Sequence, residues 1–66
     1  MQEKKTTKYA IEYATEMSKE EPEKVFYIVT KERYATRFTA NPRMLAIYIG
    51  RGYDVIGRYQ NGVKIT

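Results

Sequence analysis

Val25-Phe26-Tyr27-Ile28-Val29-Thr30-Lys31-Glu32-Arg33-Tyr34-Ala35-Thr36-Arg37-Phe38-Thr39 is the stretch that decides the fold. Its first six residues are all β-branched or aromatic, and Arg33 to Thr39 alternates in polarity, so two strands are expected with Lys31-Glu32 as the turn of an antiparallel hairpin. A two-residue turn there sets Val29 opposite Tyr34, Tyr27 opposite Thr36 and Val25 opposite Phe38. Because side chains alternate along a strand, Phe26, Ile28, Arg33, Ala35 and Arg37 then share the other side. A slip of one residue exchanges the two sides of a strand.

Working toward the C-terminus, Asn41-Pro42 is the clearest local signal. Asn is among the best N-caps, and Pro at the first helical position lacks only an amide that has no partner there anyway. A second helix is expected from Pro42 through Met44, Leu45, Ile47, Tyr48 and Ile49, ending at Gly50 or Gly52 and largely buried. A final hairpin follows, Tyr53 to Tyr59 and Val63 to Thr66. Two registers compete for it. An Asn61-Gly62 type I′ turn pairs Tyr59 with Lys64 and scatters the apolar residues over both faces. A Gln60-Asn61-Gly62 loop pairs Tyr59 with Val63 and gathers Tyr53, Val55, Tyr59, Val63 and Ile65 on one face, so this register is expected.

Toward the N-terminus, Ala10, Ile11, Tyr13, Ala14 and Met17 recur at helical spacing, with Lys8, Glu12, Glu16 and Lys19 opposite. Thr6 and Thr7 are candidate N-caps, and Pro22 ends this first helix by disfavouring helical geometry at Glu21. The expected architecture is α+β in the order α-β-β-α-β-β. Antiparallel hairpins pack with the short second helix, which forms the core with one face of the sheet. One domain, residues 1–66, is expected, made of an N-terminal helix and turn (1–24) and a basic ββαββ unit (25–66).

Composition acts mainly by exclusion. The 66 residues contain no Cys and no His, which removes disulfides, a thiol nucleophile, an imidazole base and the usual zinc site. The longest stretches without a charge, Val25 to Thr30 and Met44 to Gly50, fall far short of the roughly 18 residues of a membrane span. Met1-Gln2-Glu3-Lys4-Lys5 opens no apolar signal segment, and a cytoplasmic location is the default expectation. Glu12 and Glu16 lie one turn apart on a solvated helix face, while Asp54 and Ser18 are single residues of their kinds. No enzyme, metal site or cofactor is expected from so thin a set of groups.

The net charge of +4 is unevenly placed. Residues 1–24 carry five Lys against six Glu, a net of −1; residues 25–66 carry Lys31, Arg33, Arg37, Arg43, Arg51, Arg58 and Lys64 against Glu32 and Asp54, a net of +5. Every Arg lies in the second part, interleaved with Tyr27, Tyr34, Tyr48, Tyr53 and Tyr59. With the hairpins side by side, the face away from the core shows Arg33, Arg37, Arg58 and Lys64, with Phe26, Ile28 and Ile56 among them. Guanidinium groups bind phosphate bidentately, and an aromatic ring on an open sheet offers a stacking platform for bases. The plainer readings are that Arg stems cover exposed apolar sheet and that tyrosines pack at the core margin with their hydroxyls in water. If the first helix lies over Phe26, Ile28, Arg33 and Arg37, that face does not exist.

Three local motifs fail on inspection. Arg33-Tyr34-Ala35-Thr36-Arg37-Phe38 lacks the glycine and second aromatic of an RNA-recognition strand. Gly50-Arg51-Gly52 follows a helix and lacks the ending of a phosphate loop. Ser18-Lys19-Glu20-Glu21 matches a capping box only by coincidence, since a helix precedes it. The functional expectation is a non-catalytic module contacting nucleic-acid backbone through Phe26, Arg33, Arg37, Arg43, Arg58 and Lys64, without strong sequence specificity. The alternative is a protein-interaction module, a modulator or inhibitor of a larger partner, setting a Tyr/Arg surface against an acidic one. A homodimer through an exposed strand edge is the third possibility. In size and composition the chain resembles phage and mobile-element accessory proteins, with no motif in common.

Overall fold

The computed structural model describes residues 4–66. Helix α1 spans Lys5–Glu20, strand β1 Phe26–Lys31, β2 Tyr34–Thr39, helix α2 Pro42–Gly50, β3 Asp54–Gln60 and β4 Val63–Lys64. The α+β class and the order α-β-β-α-β-β therefore hold. All four strands belong to one antiparallel sheet ordered β2-β1-β3-β4. Since β2 and β3 are each antiparallel to β1 between them, they run parallel to each other and α2 is the crossover that joins them.

The main core cluster lies between α1 and the sheet rather than under α2 as expected, and Val29, fully buried, sits on the other face. Ala10, Ala14, Phe26, Ile28 and Tyr59 form the cluster, with Ile11, Phe38 and Ala40 packed at its margin. Thr7 and Ser18 are also buried, so the inner stripe of α1 reads 7, 10, 14, 18, at the three- and four-residue spacing of one helix face. Small side chains along that stripe let the helix backbone come close to the strands. Tyr13 and Met17, expected inside, face solvent instead.

The threonine caps are also corrected. Lys4 occupies the N-cap position and no side chain caps the helix. Thr6 and Thr7 sit inside the first turn and reach across to β2: the Thr36 amide donates to Thr6 Oγ1 at 3.0 Å, and the hydroxyls of Thr7 and Thr36 are 2.7 Å apart. Pro22 acts as expected, since the helix ends at Glu20 and Glu21 leaves helical geometry. The turn that follows is clipped by a Lys24–Glu21 ion pair at 2.8 Å. Its hydrogen bond and charge raise the Lys24 ammonium above the ordinary lysine value.

The first hairpin forms, but in another register. Tyr27 pairs with Thr39, Ile28 with Phe38 and Val29 with Arg37, and the turn is Glu32-Arg33. Neither turn residue has a positive φ, so this is not the type I′ turn whose twist suits a hairpin. The mismatch is absorbed in β2, where three residues advance between the Lys31↔Tyr34 and Val29↔Arg37 pairs while β1 advances two. That bulge reverses the expected alternation. Phe26 and Ile28 join Thr36 and Phe38 beneath α1, whereas Tyr27 and Val29 turn to the other face beside Arg37.

A second bulge interrupts β3, where Gly57 pairs with Ile28 but Val55 pairs with Val29. Val55 and Tyr59 consequently lie on different faces despite their matching parity. The expected three-residue loop of the last hairpin is overturned too: Tyr59 pairs with Lys64, and Asn61 and Gly62 both have positive φ, 53° and 79°, as a two-residue type I′ turn requires. The tip docks on the end of α1, where the Gly62 amide donates to the buried Ser18 hydroxyl at 2.9 Å. A Cβ at Gly62 would meet the Lys19 side chain at 2.7 Å.

Helix α2 has the predicted bounds and a different environment. Asn41 Oδ1 accepts from the amides of Arg43 and Met44 at 2.8 and 3.4 Å, with Pro42 at the first position. None of its nine residues is buried. Only Leu45 and Tyr48 are half-covered, while Met44, Ile47 and Ile49 stay exposed. Helix α2 touches β2 and β3, and Tyr48 meets Tyr53 edge to face at 5.0 Å.

Candidate functional site

The face of the sheet turned away from α1 carries Tyr27, Val29 and Lys31 from β1, Arg37 from β2, and Val55 and Arg58 from β3. Arg37 stands opposite Val29 and Arg58 opposite Tyr27, so two guanidinium-bearing residues flank the central strand with Cα atoms roughly 12 Å apart by strand geometry. Both side chains are exposed. The Arg58 guanidinium lies 5.7 Å from the centroid of the Tyr27 ring, which orients it over an aromatic surface.

The remaining residues expected at the site are dispersed. Phe26 is 4% exposed and belongs to the core beneath α1, so it offers no stacking surface. Ile28 lies beside it. Lys64 pairs with Tyr59 and therefore belongs to the α1 side of the sheet, at its edge. Arg33 occupies the first hairpin turn and Arg43 the first turn of α2, both exposed. Helix α1 covers Phe26 and Ile28, while Arg37 pairs with Val29 on the opposite face and stays exposed although Val29 itself is fully buried.

Lys31 takes a part that its sequence position did not disclose. Its ammonium sits 5.4 Å from the Tyr34 ring centroid and 5.9 Å from that of Tyr53, and it donates to the Arg51 carbonyl. The loop after α2 is fastened in this way to the end of the first hairpin. Lys4 does similar work on the other side, donating to the carbonyls of Lys31 and Tyr34 at 2.7 and 2.9 Å. Together with Thr6 on the Thr36 amide, it ties the start of α1 to the first half of edge strand β2.

An open groove of about 270 Å³ runs where α1, β2 and α2 meet, lined by Thr6, Tyr9, Ala10, Tyr13, Thr36, Arg37, Phe38 and Tyr48. Sequence reading placed Tyr13 in the core and gave Tyr9 no role. The signal that separates them from the core is the small-residue stripe at 7, 10, 14 and 18.

Fold and surface together define a class: a small α+β domain whose helix-backed antiparallel sheet shows arginines on its other face. Compared with known proteins, the chain matches no family model, no curated protein and no solved structure. No helix among the described residues is long and apolar enough to cross a membrane.

Proposed function

We propose that this domain is a non-catalytic, cytoplasmic binding module that contacts nucleic-acid backbone, with Arg37 and Arg58 at the centre of the contact and Arg33 and Arg43 at its periphery. The observation that carries this reading is the state of the cations. Both ion pairs among the described residues, Lys19–Glu16 and Lys24–Glu21, lie within residues 1–24, and among the described residues none of the seven cations of residues 25–66 has a carboxylate partner. Unpaired surface arginines repel one another at a cost in stability, and a polyanion relieves that cost. Phosphate contacts of this kind carry no sequence information, so weak specificity follows.

Salt decides the matter. Each phosphate neutralised releases condensed counterions, so four contacts give log K against log[salt] a slope of about −3 to −4. Titrating a labelled random strand and a duplex at 50 and 200 mM salt is expected to show binding that weakens on that slope. No binding in the low-salt arm overturns the proposal.

One observation favours a second reading, a module that modulates a larger protein. Helix α2 leaves Met44, Ile47 and Ile49 exposed, with Arg43 and Arg51 at its two ends. On this reading a protein complex recovered from native extract survives nuclease treatment; on the first it does not.

A further inference from the structure

Phosphate contacts leave the tyrosine groove unexplained. Tyr9 and Tyr13 stand one turn apart on α1 with 54% and 61% of their surfaces exposed, although large rings gain most from burial. Tyr13 is not loose. Its ring lies 25° from the plane of Phe38 at a centroid distance of 6.5 Å, and Phe38 leans in turn on core Phe26 at 6.3 Å. A ladder of rings therefore climbs from the core to the surface, presenting one supported face of Tyr13 outward. Tyr48 also lines the groove, and so does Arg37, while no carboxylate among the described residues does.

We propose that this groove accepts one unpaired nucleobase of a single-stranded nucleic acid, with the adjoining phosphate on Arg37. The inference rests on the nucleic-acid reading above and narrows it to a strand type and a subsite. Three features carry it. Aromatic faces held in place stack bases of any identity, which suits a surface without sequence readout. The volume lies just below the usual range for small-molecule pockets, about 300–1,000 Å³, which leaves room for a single planar ring system. A base recessed among Tyr9, Tyr13 and Tyr48 cannot be paired, so single strands are preferred over duplex. Charge sets the direction of the strand. Glu12 and Glu16 line the next depression beyond Tyr13, so the backbone leaves on the Arg37 side.

The chain has seven Tyr and no Trp, so intrinsic fluorescence reports the stacking directly. The full chain is titrated at low salt with a ten-residue oligothymidylate, an abasic strand of equal length, a duplex and a poly-glutamate peptide. The expected result is tyrosine quenching by the oligothymidylate and at least about tenfold tighter binding of it than of the abasic strand or the duplex. Tyr13→Leu and Tyr9→Leu each lose about tenfold for oligothymidylate and nothing for the abasic strand, while Tyr13→Phe keeps the wild-type affinity. Equal binding of oligothymidylate and abasic strand, or tighter binding of duplex, overturns the base subsite and leaves the backbone reading standing. Absence of binding to every nucleic acid overturns both, and capture of poly-glutamate alone replaces them with an acidic polypeptide partner.

Discussion

Thr36 shows how much a single hydroxyl organises here. It is 6% exposed, lies 2.7 Å from the Thr7 hydroxyl and 3.1 Å from that of Thr30, and Lys4 donates to Thr30 at 3.3 Å. This chain of polar groups ties the start of α1 to both strands of the first hairpin. Thr36→Val leaves the Thr7 hydroxyl buried without its partner, at an expected cost of about 1–3 kcal/mol in urea unfolding. Adding Thr7→Val removes the orphaned group and recovers part of the loss. A neutral single variant, or a double variant worse than the sum of the two, refutes this account of the cluster. None of it is legible in sequence, where Thr6 and Thr7 before an apolar stripe read as caps. A threonine announces a hydroxyl that needs a partner, and only the tertiary structure says whether that partner lies in its own helix turn or on a strand 29 residues away.

Elements whose limits depend on local chemistry were legible, and those that depend on distant partners were not. Asn41-Pro42 and Gly52, which has a φ of 92°, delimit α2 because capping and the backbone freedom of glycine act within a few residues. Its burial was misread, since apolar content alone does not say whether a sheet face is available to cover it. The bulges in β2 and β3 escaped for a related reason: parity counting assumes an unbroken ladder, and a single extra residue inverts every later position. Thus Phe26 and Arg37, expected on one face of the sheet, lie on opposite faces. The uneven covering of the elements predicts uneven stability. With no buried residue of its own, α2 is expected to open at lower free energy than β1, which contains Phe26, Ile28 and Val29. In hydrogen exchange, Asn41→Ala should lower the protection of α2 amides by about 1 kcal/mol of opening free energy and leave β1 amides unchanged. Equal loss in both elements means that α2 unfolds only with the whole domain.

At the scale of the whole molecule, stability and the proposed function draw on different residues. The main core cluster is built from α1 and the inner side of the sheet, whereas the cations of residues 25–66 lie outside it without carboxylate partners among the described residues. A domain of this size is only marginally stable, so concentrated positive charge on one part of it is a burden unless it serves contact with a polyanion. That separation can be tested in one variant. Arg37→Gln together with Arg58→Gln removes two charges on the open face. The first has no ion pair to lose among the described residues, and the second gives up its position over Tyr27, worth about 0.5–1 kcal/mol at an exposed site. The melting temperature should therefore fall by no more than about 8 °C, and by less where relief of repulsion offsets the loss. Binding to a nucleic-acid strand should weaken at every salt concentration within the working range, with the slope of log K against log[salt] reduced by about 1.4 to 1.8. A variant that keeps the full slope shows that other cations make the contact, and one that unfolds shows that these arginines belong to the fold.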